Sequence, residues 1–171
     1  MPTIRPATRD DADAIARIYN DGIRARAATF ETSYRTAADV RAWFDDPVAA
    51  RFPFLVSCEA DDQVVGWVRG GTYRTRPCYA GVTDYSIYIA EAARGRGVGD
   101  GLMRAFLEGC EAAGVWKVVA RIFPDNAASR RLCAAHGFRE VGVYARHAQL
   151  DGVWRDVIIV ERLLPANQRD G

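Results

Sequence analysis

The stretch Arg94-Gly95-Arg96-Gly97-Val98-Gly99 lies between a β-type run ending at Ile89 and an amphipathic segment that begins near Gly99. A strand, a glycine-rich turn and a helix start in that order define one strand–helix unit whose helix N-terminus opens at the turn. Glycine accepts backbone angles that bring N–H groups close to a ligand. The unpaired amides and positive dipole end of the helix start favour an anion, above all a phosphate. Arg94 and Arg96 add mobile positive charge at the rim.

Two common phosphate patterns fail here. A nucleoside-triphosphate loop needs Lys followed by Ser or Thr at the helix start, but Gly99 is followed by Asp100, Gly101 and Leu102. A dinucleotide fingerprint needs a glycine in sixth place, and counting from Gly95 or Gly97 puts Asp100 or Leu102 there. What remains is Arg-x-x-Gly-x-Gly. It resembles the pyrophosphate-binding signature of the GNAT acetyltransferase superfamily, which implies acetyl-coenzyme A as cosubstrate.

With 171 residues and 49% apolar content, the chain suits one well-filled core. A single domain over 1–164 with a polar tail at 165–171 is expected. Lys plus Arg number 23 against 22 for Asp plus Glu, so no global field attracts nucleic acid or an anionic membrane. The absence of a long apolar run or a charged-then-apolar leader points to a cytoplasmic enzyme. Cys58, Cys78, Cys110 and Cys133 show no paired metal-ligand spacing, and only His136 and His147 could join them, so no metal is expected. His136, just before Gly137, suits the C-terminal end of a helix.

The periodicities divide the rest. A short strand at 3–5 precedes a helix that Thr8 and Asp11 cap, with Ile15, Ile18, Tyr19 and Ile23 on its stripe. A second helix covers about 36–45 and stops before Pro47. Residues 54–58 and 64–71 form a hairpin. In 83–89, alternation sends Asp84, Ser86 and Tyr88 to one face and Tyr85, Ile87 and Ile89 to the other. The helix after the glycine turn ends at Gly114, residues 117–123 form a buried strand, and Asp125 or Asn126 caps a helix ending at Gly137. A last hairpin joins 140–150 to 153–163 through Asp151-Gly152. This order gives a layered α/β domain with a central mixed, mainly antiparallel sheet, which agrees with the GNAT fold.

The pieces 18–20, 28–31, 74–79, 86–89 and 126–129, together with Gly152-x-Trp154-x-Asp156-Val157, resemble one branch of that superfamily, the phosphinothricin and methionine sulfone (sulfoximine) N-acetyltransferases. The resemblance implies that Ile87, Tyr88 and Ile89 offer backbone groups to the pantetheine arm, that Arg94, Gly95, Arg96, Gly97, Val98, Gly99 and Asp100 surround the pyrophosphate, and that Asn126 contacts the cofactor near the thioester. Asp100 departs from the Ser, Thr, Lys or Arg that many relatives carry after the last glycine. It is expected to turn away as an early-helix carboxylate.

The implied reaction is attack of a neutral primary amine on an acetyl thioester, which needs a base for the ammonium proton. At the strand position where the branch carries a carboxylate, usually Glu, this chain has Asp84. Shorter by one methylene, it is expected to act through water, or otherwise merely to pair with Arg74 or Arg76. A backbone N–H near Tyr88 or Ile89 would polarise the thioester oxygen. Cys133 stands where relatives present Tyr or His to the leaving thiolate, and is read as a packed cysteine. Arg74 and Arg76 would hold an acceptor's anionic group in fork geometry, with Phe30 and Tyr79 as pocket wall. The Trp154 and Asp156 hairpin resembles an element near the acceptor and a dimer contact, but Leu150 stands where many relatives have Lys. The expectation is therefore an acetyltransferase for a small anionic amino acid, working as a homodimer. A non-catalytic acyl-coenzyme A sensor and an enzyme for protein N-termini or polyamines are the alternatives.

Overall fold

Residues 2–168 are described by a computed structural model of the chain. The alternating run that carries Asp84 is the strand β4 (Val82–Ile89), and its two sides meet different layers. Tyr88 packs with the apolar group around Ile15, Ile18, Val40 and Trp67, whereas Tyr85, Ile87 and Ile89 pack against Leu102, Met103 and Phe106. A strand buried on both faces must be covered by helices on both sides. Here α1 (Ala12–Ala25) and α2 (Ala37–Ala42) supply one layer, and α3 (Val98–Ala112) and α4 (Ala127–Ala135) the other.

The remaining strands are β1 (Thr3–Pro6), β2 (Phe54–Cys58), β3 (Val64–Thr72), β5 (Lys117–Ile122), β6 (Arg139–Leu150) and β7 (Val153–Leu163). They form a seven-stranded sheet in the order β1-β2-β3-β4-β5-β7-β6. All neighbours are antiparallel except β4 and β5, which run parallel. A parallel pair needs a crossover, and α3 provides it, so the glycine turn falls at the C-terminal end of β4.

That pair is also short. β4 matches β3 over its length up to Ile89, but it matches β5 only at Val82–Lys117, Thr83–Val118 and Asp84–Val119. β5 pairs on its other side with β7 from Lys117 to Ile122. Beyond Asp84 the two strands part, leaving the β5-facing edge of residues 85–89 without a strand.

Local chemistry fixes the helix ends. The Asp11 carboxylate accepts the Thr8 N–H at 2.7 Å and holds Arg5 at 2.8 and 2.9 Å, joining β1 to the start of α1. Thr36 and Asp39 cap α2 reciprocally, and its last turn tightens to a 3-10 turn at Trp43–Asp45. The expected polar tail is docked at its start: Pro165–Asn167 forms a 3-10 turn, and Asn167 Nδ2 donates to the carbonyls of Glu111 and Val115. Both carbonyls lie where α3 ends and helical partners run out, and Glu111 accepts the Gly114 N–H at 3.1 Å as well. Residues 169–171 lie outside the described residues.

Candidate active site

At the glycine turn, Gly95 and Gly97 have φ of +71° and +81°, and Gly97 forms the N-cap of α3. An added Cβ at either would meet no atom within 4 Å. Backbone conformation, rather than crowding, therefore demands glycine here, and the space above the turn is open to a ligand. Gly99 lacks a positive φ and has ordinary neighbours at 3.7 Å.

Each rim arginine has a partner close to the turn. Arg94 Nε donates to the Ile89 carbonyl at 3.2 Å, and Arg96 pairs with Glu59 at 2.8 Å. Both partners lie on neighbouring loops and strand ends within reach of a long side chain. Asp100 lies one turn into the same helix, where Arg104 holds it at 2.7 Å and His136 Nε2 meets its other oxygen at 2.9 Å. Its charge is thus taken up by two side chains, and His136 links the end of α4 to the start of α3.

A cavity of about 750 Å³ opens where β4 and β5 part. Tyr85, Ile87, Tyr88, Ile122 and Asn126 line it, and Asp84 stands at its wall. Asn126 caps α4 by accepting the Ser129 N–H at 3.1 Å with Oδ1, which leaves Nδ2 as a donor at the cavity. Phe30 also lines this space, edge-on to Phe123 at 4.9 Å. Arg74 reaches the rim, exposed and stacked on Tyr73 at 5.4 Å. Arg76 and Tyr79 are not among the lining residues; Tyr79 instead packs on Tyr73 at 5.7 Å.

Asp84 is the best-placed carboxylate. Burial pushes its pKa up, while Arg121, its own backbone amide and Arg69 pull it back. Its ion-pair partner is Arg121 at 3.3 Å, not Arg74 or Arg76. The parallel register explains this: Val119 faces Asp84, and Arg121 follows two residues on, on the same face. Sequence reading missed Arg121 because strand order is not visible in an isolated run.

Cys133 is 2% exposed, and burial pushes its thiol pKa up. The Tyr85 hydroxyl lies 3.0 Å from its Sγ. His147 was also missed. Register shifts between Tyr144 and Ala148, where Arg146 has φ of +47° and its N–H donates to Asp156 Oδ1 at 2.6 Å. This bulge re-aims the strand, and His147 joins the cavity wall beside Tyr144.

A helix start preceded by positive-φ glycines and an unpaired strand edge suit a ligand that carries a phosphate at one end and an amide-bearing arm at the other. The comparison with known proteins decides the family. Residues 3–139 match the acetyltransferase (GNAT) domain. The chain belongs to the GNAT acetyltransferase family. A GNAT acetyltransferase uses acetyl-coenzyme A, and the turn and the open strand edge fit that molecule. The chain is 31% identical, over 163 and 159 residues, to two curated relatives. One is a phosphinothricin N-acetyltransferase of Streptomyces coelicolor, covering 94% of this chain and 95% of the relative. The other is an L-methionine sulfoximine/L-methionine sulfone acetyltransferase of Pseudomonas aeruginosa, covering 93% and 92%. Among solved structures, a GNAT superfamily phosphinothricin acetyltransferase from Sinorhizobium meliloti in complex with acetyl-coenzyme A superposes with a TM-score of 0.89 at 27% identity, over 95% of this chain and 88% of that one.

Proposed function

We propose that this GNAT acetyltransferase acetylates the α-amine of a small anionic amino acid or analogue of the phosphinothricin or methionine sulfone (sulfoximine) type. The observation that carries this reading is Asp84, a carboxylate with a raised pKa at the point where β4 and β5 part, at the wall of the large cavity. The names of the two curated relatives support the acceptor class.

Bound acetyl-coenzyme A supplies an activated acetyl group. The amides at the start of α3 hold its pyrophosphate, and the free edge of residues 85–89 aligns its arm. Ile87, Tyr88 and Ile89 contribute main-chain groups there, one of which donates an N–H to the carbonyl under attack. Asn126 Nδ2 lies toward the thioester end. Asp84, directly or through one water, removes the ammonium proton and makes the amine nucleophilic; the N–C bond then forms, the thioester C–S bond breaks, and the coenzyme A thiolate leaves and takes a proton from solvent. The short side chain of Asp84 favours the water relay. Arg74 at the rim attracts the acceptor's carboxylate, and Phe30 walls the pocket. Transfer is direct, because no cysteine lines the large cavity.

We read the protein as a cytoplasmic homodimer and a single domain over 1–164. Free thiols suit a reducing compartment. The edge strand β6 and its hairpin expose Val141, Val143, Tyr144, Val153 and Trp154, an apolar surface that a second copy would cover.

The test follows thiol release from acetyl-coenzyme A across a panel of amines. Release with methionine sulfone or phosphinothricin supports the reading. Release only with polyamines or peptide N-termini would replace it.

A further inference from the structure

A second cavity, of about 460 Å³, lies on the other side of Asp84, between the helical layer of α1 and α2 and the β3–β4 face. Its lining includes Tyr19, Trp43, Trp67, Arg69, Asp84 and Ser86. Arg69 stands out chemically. Its guanidinium stacks on Trp43 at 5.1 Å and on Phe54 at 5.7 Å. Among the described residues its one hydrogen bond is long, 3.4 Å, from Nη2 to the Trp43 carbonyl. Among the described residues no carboxylate lies within ion-pair distance of it.

A guanidinium carries five N–H donors, and holding one half-buried with most of them unused is unfavourable without a ligand. Burial lowers its pKa, and only the more distant fields of Asp46 and Asp84 oppose that. The neighbouring charges are already occupied: Arg35 is paired with Glu31, Asp39 accepts from Thr36, and Asp84 faces Arg121. A second donor lacks a partner at the same wall. Trp67 is 1% exposed, and its indole Nε1 has no hydrogen-bond acceptor.

The register ties this cavity to the chemistry. Gly71 pairs with Asp84 and Arg69 with Ser86, so Arg69 and Asp84 are diagonal neighbours on one face. Such positions lie about 7–8 Å apart, the scale of one amino acid. A single acceptor can present its amine to Asp84 and its far end to Arg69. The gap between them is kept clear at Gly71, where an added Cβ would meet the Asp84 carboxylate at 2.8 Å.

We propose that the 460 Å³ cavity seats the acceptor's side chain and that Arg69 binds an anionic oxo group, a carboxylate or phosphinate, at its end. This rests on the reading that the acceptor is an amino acid, and it makes Arg69 the selectivity determinant between anionic and neutral side chains. The aromatic stack holds the fork in place.

The test compares phosphinothricin and glutamate with norleucine, in the wild type, Arg69→Gln and Arg69→Lys. For Arg69→Gln, kcat/KM for the anionic acceptors falls about 10- to 100-fold, the range of a hydrogen bond to a charged group, mainly through KM. At a pH above the acidic limb, where Asp84 is ionised with or without the field of Arg69, norleucine turnover changes little, and Arg69→Lys recovers part of the loss because it keeps charge without the fork. An equal loss for all three acceptors, or undiminished preference in Arg69→Gln, overturns the proposal. Calorimetry of coenzyme A-saturated protein with the same amino acids separates the two readings without turnover. If no amino acid supports thiol release, the proposed reaction fails, whereas the anion seat is overturned on its own if phosphinothricin and glutamate bind wild type no better than norleucine.

Discussion

The carboxylate of Asp84 lies 3.3 Å from the guanidinium of Arg121, across the last paired residues of the parallel strands β4 and β5. The pair marks the seam at which the sheet opens. One partner is the proposed base, in a site that raises its pKa, and the other pulls that pKa back. In the proposed mechanism the two side chains together set the pH at which an acceptor ammonium is relieved of its proton.

Replacing Asp84 with Asn removes the base while keeping the shape. The kcat/KM for the preferred amino acid falls by about 10²- to 10⁴-fold, the usual contribution of a positioned base. Stability does not fall with it. A group whose pKa is raised in the folded state disfavours its charged form there, so thermal denaturation at neutral pH gives an unchanged or slightly higher Tm. A large drop in Tm with partial activity would contradict the assignment.

Arg121→Gln tests the electrostatics. The acidic limb of kcat/KM follows the protonation of Asp84, and burial sets that limb above the ordinary aspartate range. Arg121 lowers the Asp84 pKa, so its removal moves the limb to higher pH. Initial rates across an acidic pH series measure the shift. A limb that stays or moves to lower pH would contradict the account.

Gly97→Ala and Gly99→Ala separate conformation from space. At φ of +81° an L-residue costs about 1–2 kcal/mol, so Gly97→Ala weakens coenzyme A binding or lowers Tm. Gly99→Ala meets only ordinary contacts at 3.7 Å and preserves the fold. Calorimetric titration of coenzyme A into both variants, with a melt of each, checks the contrast.

Gly22→Ala probes how the fold supports the site. A Cβ there would come within 2.6 Å of the Tyr88 ring, which α1 presses onto β4. Overpacking of this kind costs about 1–3 kcal/mol and shifts a ring that lines the large cavity. Denaturant unfolding measures the loss, and the acceptor KM is expected to rise in the same variant.

Much of this arrangement was legible in the chain because it rests on local signals. The two-residue alternation from Thr83 to Ile89 separates Tyr88 from Tyr85 onto opposite layers, as found. Thr36 and Asp39 announce a helix start, and Gly137 a helix end. What stayed hidden depends on partners distant in sequence. Arg121 meets Asp84 only because β4 and β5 are parallel neighbours in a particular register. Arg69 reads as a polar residue in an apolar strand until β3 is laid beside Ser86. His147 gave no signal in its strand, and a bulge pinned by Asp156 turns it to the cavity. The tethers of Arg94 and Arg96 likewise arise from tertiary proximity to Ile89 and Glu59.

A crystal structure of the protein with coenzyme A examines the central claim most directly. The account predicts the pyrophosphate on the amides that follow Gly95 and Gly97, with the pantetheine arm along the open edge of residues 85–89 and its sulfur toward Asp84. A pyrophosphate bound away from the start of α3, or an arm that leaves that edge empty, would contradict it.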